Sequence, residues 1–151
     1  MPKILLKEFT LFFVGFLGYI TIELTFRGYT YWQMGMCGGI ATLILDKIND
    51  RISWDLDILI QGFLGSLLIT SMELVVGFLT LINGKEPMWD YSNLPLNYKG
   101  IICVPFSLLW ILLSIVAIFV ADAINYYIFG EEPVPYYRLF GKVVIRFPIR
   151  R

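Results

Sequence analysis

The chain has 151 residues, 58% of them hydrophobic and 16% charged, which is one domain's worth of sequence and far more apolar than a soluble domain. Lys plus Arg and Asp plus Glu both number 12, so no basic field points to a nucleic-acid partner. Histidine is absent, which removes the commonest general base, zinc ligand and partner of a nucleophilic Ser or Cys. No acidic residues recur at ligand spacing either, so no catalytic residue, metal site or cofactor is expected and the chain is not read as an enzyme.

A membrane-spanning helix takes about 20 mostly apolar residues. Four stretches qualify, and the first is 9–26. The segment MPKILLKEFT ahead of it has the basic start of a signal peptide. No small-residue cleavage site follows, and the apolar run continues to Glu23 and Arg27, so an uncleaved first span is expected. Only Arg27 and Gly28 separate it from the second stretch, 29–45, which predicts a tight helical hairpin. A polar segment, 46–57, leads to the third stretch, 58–82, long enough to cross with tilt. Turn formers fill the loop 83–100, NGKEPMWDYSNLPLNYKG, and the fourth stretch is 101–128. The remainder is basic, aromatic and punctuated by Pro. Val143, Ile145, Phe147 and Ile149 alternate with mostly polar or basic residues, a pattern that suits a tail lying on an anionic inner leaflet or, as the alternative, an ordered docking strand.

The expected fold is therefore an all-α membrane protein: a compact bundle of four transmembrane helices in residues 1–129, followed by a basic aromatic cytoplasmic tail, 130–151. Lys3, Lys7, Lys47, Arg51, Arg138, Lys142, Arg146, Arg150 and Arg151 fall on one side, and Arg27, Lys85 and Lys99 on the other. Nine cations against three place both termini in the cytoplasm.

Lipid provides no hydrophobic drive between helices, so small and polar residues should mark the packing faces. At about 100° per residue, Gly35, Gly39, Thr42 and Asp46 fall within roughly 60° of arc. Gly62, Ser66, Thr70, Glu73 and Gly77 fall within about 80°. The fourth stretch shows a similar stripe from Cys103 through Ser107, Trp110 and Ser114 to Asn125. Gly15, Tyr19 and Glu23 form a looser one on the first. These seams turn Glu73 into the bundle, where a carboxyl group must be protonated, hydrogen-bonded or paired. Cys37 and Cys103 read as small buried hydrophobes rather than a disulfide. Gln61 and Asp122, near the cytoplasmic ends of their spans, are expected to snorkel or cap.

Glu23 and Arg27 have the i, i+4 spacing that lets a carboxylate meet a guanidinium on one helix face. Glu73 lies about 13 Å below the outer end of its span at 1.5 Å per residue, so contact between the first and third helices would let Arg27 reach both carboxylates. Trp89, Asp90, Tyr91, Ser92 and Asn97 can fold over that cluster as a lid. Glu23, Arg27, Glu73, Trp89, Asp90, Tyr91, Ser92 and Asn97 are thus the candidate ligand-binding residues of an outward-facing polar pocket for a small ligand, ion or lipid headgroup. The alternative is a non-catalytic membrane scaffold or partner subunit in which the Glu/Arg network only fixes helix register.

The run WDYSNLPLNYKGIICVPFSLLW, with Trp89, Asp90, Tyr91, Ser92, Pro95, Asn97, Gly100 and Trp110, resembles the hallmark of the ABC-transporter type IV (CmpB-like permease) family of small multi-pass membrane proteins. ITSMELVVGF is similar to the family's Glu-bearing helix, and RGYTYWQMGMCGG, with Arg27, Gly28 and Trp32, to its entry into the second helix. FGEEPVPYYRLF is similar to the tail of bacterial members, so the likeness runs from about Glu23 to Phe140. The resemblance implies a permease-like protein of the bacterial cytoplasmic membrane, in contact with lipids and with either a second copy or another membrane subunit as partner. No Gly-rich phosphate loop with Lys occurs, so direct ATP binding is not expected.

Overall fold

The computed structural model describes residues 2–150, the side chains of residues 49 and 50 excepted; Arg151, part of the cationic count above, lies outside the described residues. Helix α1 (Lys3–Arg27) is 25 residues long, roughly 37 Å at 1.5 Å per residue. It stops at Gly28, whose φ of 74° turns the chain sharply while its N–H bonds the Leu24 carbonyl. Helix α2 (Trp32–Arg51) then returns along α1. The two backbones touch through glycine. A Cβ on Gly38 would sit 2.5 Å from Tyr19 Cβ and 2.8 Å from the Gly15 carbonyl oxygen, and one on Gly39 would strike the Phe12 ring at 2.6 Å.

Helix α3 (Ile58–Ile82) starts at Asp57, whose carboxylate accepts the Leu59 N–H at 2.9 Å. Helix α4 (Val104–Ala123) carries Pro105 in its first turn, where the missing donor costs nothing, and runs on through a wider π-helical turn, Ile124–Ile128. The second helix pair is sewn by small and hydroxyl side chains. The Ser66 hydroxyl donates to the Ser107 carbonyl at 2.5 Å, the Thr70 and Ser107 hydroxyls share a bond of 3.0 Å, and a Cβ on Gly65 would meet Ser114 Oγ at 2.5 Å. The two pairs, α1/α2 and α3/α4, meet through α2, which touches both α3 and α4.

Among the described residues, three helices are long and apolar enough to cross a membrane: α1, α3 and α4 with its π-helical turn. Helix α2 differs from expectation. It begins at Trp32 rather than at 29 and runs past 45 to Arg51, so its last turns take in Asp46, Lys47 and Arg51 from the segment expected to be a polar link. The fourth helix likewise begins at Val104 rather than at 101, because Ile102 and Cys103 are taken up in pairing.

The all-α expectation is corrected at both ends of the bundle, where an antiparallel hairpin caps the helices. At one end β1 (Asn97–Tyr98) pairs with β2 (Ile102–Cys103). At the other, β3 (Tyr136–Leu139) pairs with β4 (Lys142–Arg146), joined by Phe140 and Gly141 at φ 49° and 76°, the left-handed pair that a two-residue hairpin turn requires. The alternation of aromatic and β-branched residues that suggested a surface-lying tail is thus the pattern of a strand pair.

That second hairpin is docked. Tyr137 is fully buried, its ring 4.1 Å from that of Phe119 and its hydroxyl donating to Asp122 Oδ2 at 2.7 Å. Burial first, then Asp122, holds the Tyr137 phenol well above its ordinary range, so it stays a donor. The Phe140 N–H reaches Asp57 Oδ2 at 2.6 Å and Arg138 pairs with Asp55 at 3.0 Å. Asp122 and Gln61 therefore do not snorkel; both are buried, and the Gln61 side chain caps the α3 entry by donating to the Leu56 carbonyl at 2.9 Å. Beside them Lys7 pairs with Glu131 at 2.9 Å and Asp46 at 3.7 Å, Lys47 pairs with Glu8 at 2.6 Å, and the Asn125 amide bonds Asp46. These contacts tie α1, α2 and the π-helical turn at the end that holds both termini.

Candidate functional site

The loop at the opposite end is built before anything can bind it. The Asp90 carboxylate accepts the Ser92 N–H at 2.8 Å and its hydroxyl at 2.9 Å, and these donors hold the Asp90 carboxyl below the usual carboxylate range. The Asn97 amide donates to the Ser92 carbonyl at 3.2 Å and the Leu94 carbonyl at 2.8 Å, while its oxygen accepts the Gly100 N–H at 3.1 Å. Gly100 has φ 69°, and a Cβ there would lie 2.7 Å from Asp90 Oδ1, so both backbone and space call for glycine. The Trp89 indole N–H donates to the Ile101 carbonyl at 2.8 Å. Asp90, Ser92 and Asn97 are exposed and engaged within the loop, whereas Trp89 and Tyr91 are buried beneath it.

Tyr91 carries the loop's contact to the bundle. Its ring stacks on Phe106 at 4.5 Å and its hydroxyl donates to Glu73 Oε1 at 2.9 Å. Burial, then the nearby carboxylate, raises the Tyr91 phenol far above its ordinary range, which keeps the proton on Tyr91. The other oxygen of Glu73 has no hydrogen-bond partner; Trp110 Nε1 approaches the carboxylate without reaching bonding geometry.

Glu23 and Arg27 meet as their spacing predicts, at 2.6 Å, and the Thr30 hydroxyl donates to the second Glu23 oxygen at 2.8 Å. Arg27 also donates to the Met88 carbonyl at 3.2 Å and lies 5.0 Å from the Tyr29 ring centre. The expected reach of Arg27 down to Glu73 is not made among the described residues. Tyr19 stands between the two acidic groups, close to both, and stacks on Trp110 at 5.8 Å. The sequence placed Tyr19 on a packing stripe, and Trp110 on a stripe and in the family-like run, but neither among the candidate ligand-binding residues. Their signal is position: Tyr19 is one helical turn before Glu23, and Trp110 lies between Ser107 and Ser114 on the seam of α4.

Three recesses follow from this arrangement. A groove of about 370 Å³ opens between α1 and α4; Glu23, Arg27 and Tyr91 stand at its polar end, and Ile22, Phe26, Leu109 and Leu113 form apolar walls. A further space of about 190 Å³ shares Tyr19, Ile22, Trp110 and Leu113 with it and extends past Gly18 to Val14 and Val120. Glu73 and Trp89 line a cavity of about 40 Å³ between α2 and α3, which shares Tyr19, Gly38, Ala41 and Ile69 with that space. The eight expected residues are therefore divided: Glu23, Arg27 and Tyr91 face the groove, Glu73 and Trp89 face the cavity, and Asp90, Ser92 and Asn97 hold the loop above.

Long apolar helices, acidic groups turned inward and hydroxyl-stitched helix pairs define a multi-pass helical membrane protein. The family model described as "Putative ABC-transporter type IV" matches residues 9–147, nearly the whole chain, and the protein belongs to that family. No curated protein and no solved structure matches it.

Proposed function

We propose that this protein is a permease-like subunit that holds a membrane amphiphile in the groove between α1 and α4, its acyl chain along the apolar walls and its polar end at Glu23, Arg27 and Tyr91. The observation that carries this reading is the groove's gradient: charged and hydroxyl groups at one end, hydrocarbon walls along the rest. From Phe26 to Val14 on α1 is about 18 Å at 1.5 Å per residue, close to the roughly 15 Å of one leaflet. Of the ligand classes considered for this pocket, a lipid headgroup with its chain fits such a shape best.

In this reading all four helices cross the bilayer. The 20 residues of α2 span about 30 Å, and its charged last turns are covered by the Lys7–Asp46 and Glu8–Lys47 pairs with α1. Both termini lie on the cytoplasmic side, where the cationic residues gather, in a bacterial cytoplasmic membrane, and the Trp89–Asn97 loop faces out. The chain is non-catalytic and works beside a second copy or another membrane subunit, and coupling to an energy source falls to a different protein.

Gly18 gives a clean test, because a Cβ there meets nothing within 4 Å while the residue lines the 190 Å³ extension of the groove. Gly18→Leu should obstruct the path of the acyl chain there without disturbing the fold. Native mass spectrometry of protein extracted in mild detergent should then show about tenfold less retained lipid, equivalent to ~1.4 kcal/mol, at unchanged thermal stability. Equal lipid retention would favour the scaffold reading. That reading has its own support in β4, whose residues are all exposed and present Val143, Val144 and Ile145 to a possible neighbour.

A further inference from the structure

The 40 Å³ cavity beside Glu73 has walls of unusual composition. Helix α2 gives it Met34, Cys37, Gly38 and Ala41, and helix α3 gives it Ile69, Met72, Glu73 and Val76, each an i, i+3, i+4, i+7 set that shares one helix face. Three sulfur side chains and one carboxylate thus line a space large enough for a few water-sized spheres. Met34 is 4% exposed and Glu73 5%, and Glu73, which lines this cavity, has one oxygen without a hydrogen-bond partner. Gly38 and Ala41 are the small residues that leave it open. Trp89 closes it from the loop side, its indole fixed to the Ile101 carbonyl.

A carboxylate at this depth has Tyr91 as its hydrogen-bond donor, and the Glu23–Arg27 pair nearby is already neutral. A cation beside Glu73 would compensate its charge. The donors decide which kind. Hard cations take six or more oxygen ligands, and among the described residues lining this cavity the side-chain oxygens are those of Glu73 and Tyr19. Thioether and thiol sulfur select soft ions such as copper(I).

We propose that the Met34–Cys37–Met72–Glu73 cavity binds a soft monovalent metal ion of the copper(I) class. The sulfur atoms of Met34, Cys37 and Met72 are the donors. The ion replaces the Cys37 thiol proton, which passes to the Glu73 carboxylate, so the metal thiolate and the protonated Glu73 leave no net charge in the cavity. The absence of acidic residues at ligand spacing speaks against a hard-metal site and is silent about sulfur ligands. The cavity shares Tyr19, Gly38, Ala41 and Ile69 with the 190 Å³ space, but Met34, Cys37 and Met72 line neither that space nor the groove, so lipid loss in Gly18→Leu and metal loss in the sulfur variants are scored independently and either idea can fail alone.

The test uses the reduced full-length protein in chloride-free detergent solution, titrated with silver(I) as a redox-inert probe and with copper(I) under chelator competition. One ion per chain is expected, with sodium and potassium unable to compete. Cys37→Ser and the volume-conserving Met34→Leu and Met72→Leu should each weaken binding by at least the roughly 10–100-fold that loss of even an outer-shell partner costs. Cys103→Ser, which removes the other free thiol, should leave binding unchanged. Wild-type protein that takes up no silver, affinity that survives Cys37→Ser and both Met→Leu changes, or binding lost with Cys103→Ser would each overturn the proposal. Should Cys37→Ser fail to fold, the two methionine variants still decide it.

Discussion

Gly38→Leu is expected to cost about 3 kcal/mol or more, because the new side chain would have to push two helix backbones apart. Its Cβ alone would lie 2.8 Å from the Gly15 carbonyl oxygen and 2.5 Å from Tyr19 Cβ, and neither atom is the free end of a flexible chain. The α1/α2 hairpin could not close as it stands. Because the two helix pairs meet through α2, the whole bundle should loosen with it. Reversible unfolding in mixed micelles reads the loss. Gly18→Leu is the internal control: the same substitution, placed where the new Cβ meets no packed neighbour within 4 Å, should leave the unfolding midpoint in place. A Gly38→Leu protein as stable as wild type would mean that the close approach of α1 and α2 is wrong.

Tyr137→Ala is expected to release the β3–β4 hairpin from the helices. The side chain is fully buried against Phe119, and truncating a buried aromatic to Ala typically costs about 3–5 kcal/mol. Tyr137→Phe keeps the ring and withdraws only the hydroxyl from Asp122, a cost of about 1–2 kcal/mol. Trypsin separates these outcomes, since Arg138 and Lys142 lie in the hairpin. The Ala variant should be cut there rapidly and the Phe variant should resist. Equal resistance of both would show that the hairpin is held by Asp55 and Asp57 rather than by the tyrosine.

The parts of the fold that follow a single period were open to sequence reasoning. Three long apolar runs give three long helices, and the Gly/Ser/Thr stripes of α2, α3 and α4 lie at the helix contacts because lipid leaves close approach and hydroxyl bonding to drive association. Glu23 and Arg27 were legible as a pair because their contact is local to one helix. What escaped depends on long-range partners. The α2 helix runs to Arg51 because Lys7 and Glu8, some forty residues earlier, meet Asp46 and Lys47. Tyr137 is a core residue because α3 and α4 leave a seat for it, although the surrounding sequence looks like a surface tail. The Trp-Asp-Tyr-Ser loop was marked as special, yet its polar residues serve the loop itself and its aromatic ones point inward. That division is set by the turn at Gly100, which composition does not reveal.

The groove between α1 and α4 is the centre of the functional account, and photolabelling from within the bilayer tests it most directly. Proteoliposomes would carry a phospholipid with a diazirine on its acyl chain, and labelled peptides would be mapped after illumination. The account predicts strong labelling around Ile22 and Leu113, well above that of Leu67 and Leu79 on the exposed face of α3, and loss of that excess in Gly18→Leu. Labelling spread evenly over all exposed apolar residues, and unchanged in Gly18→Leu, would contradict it.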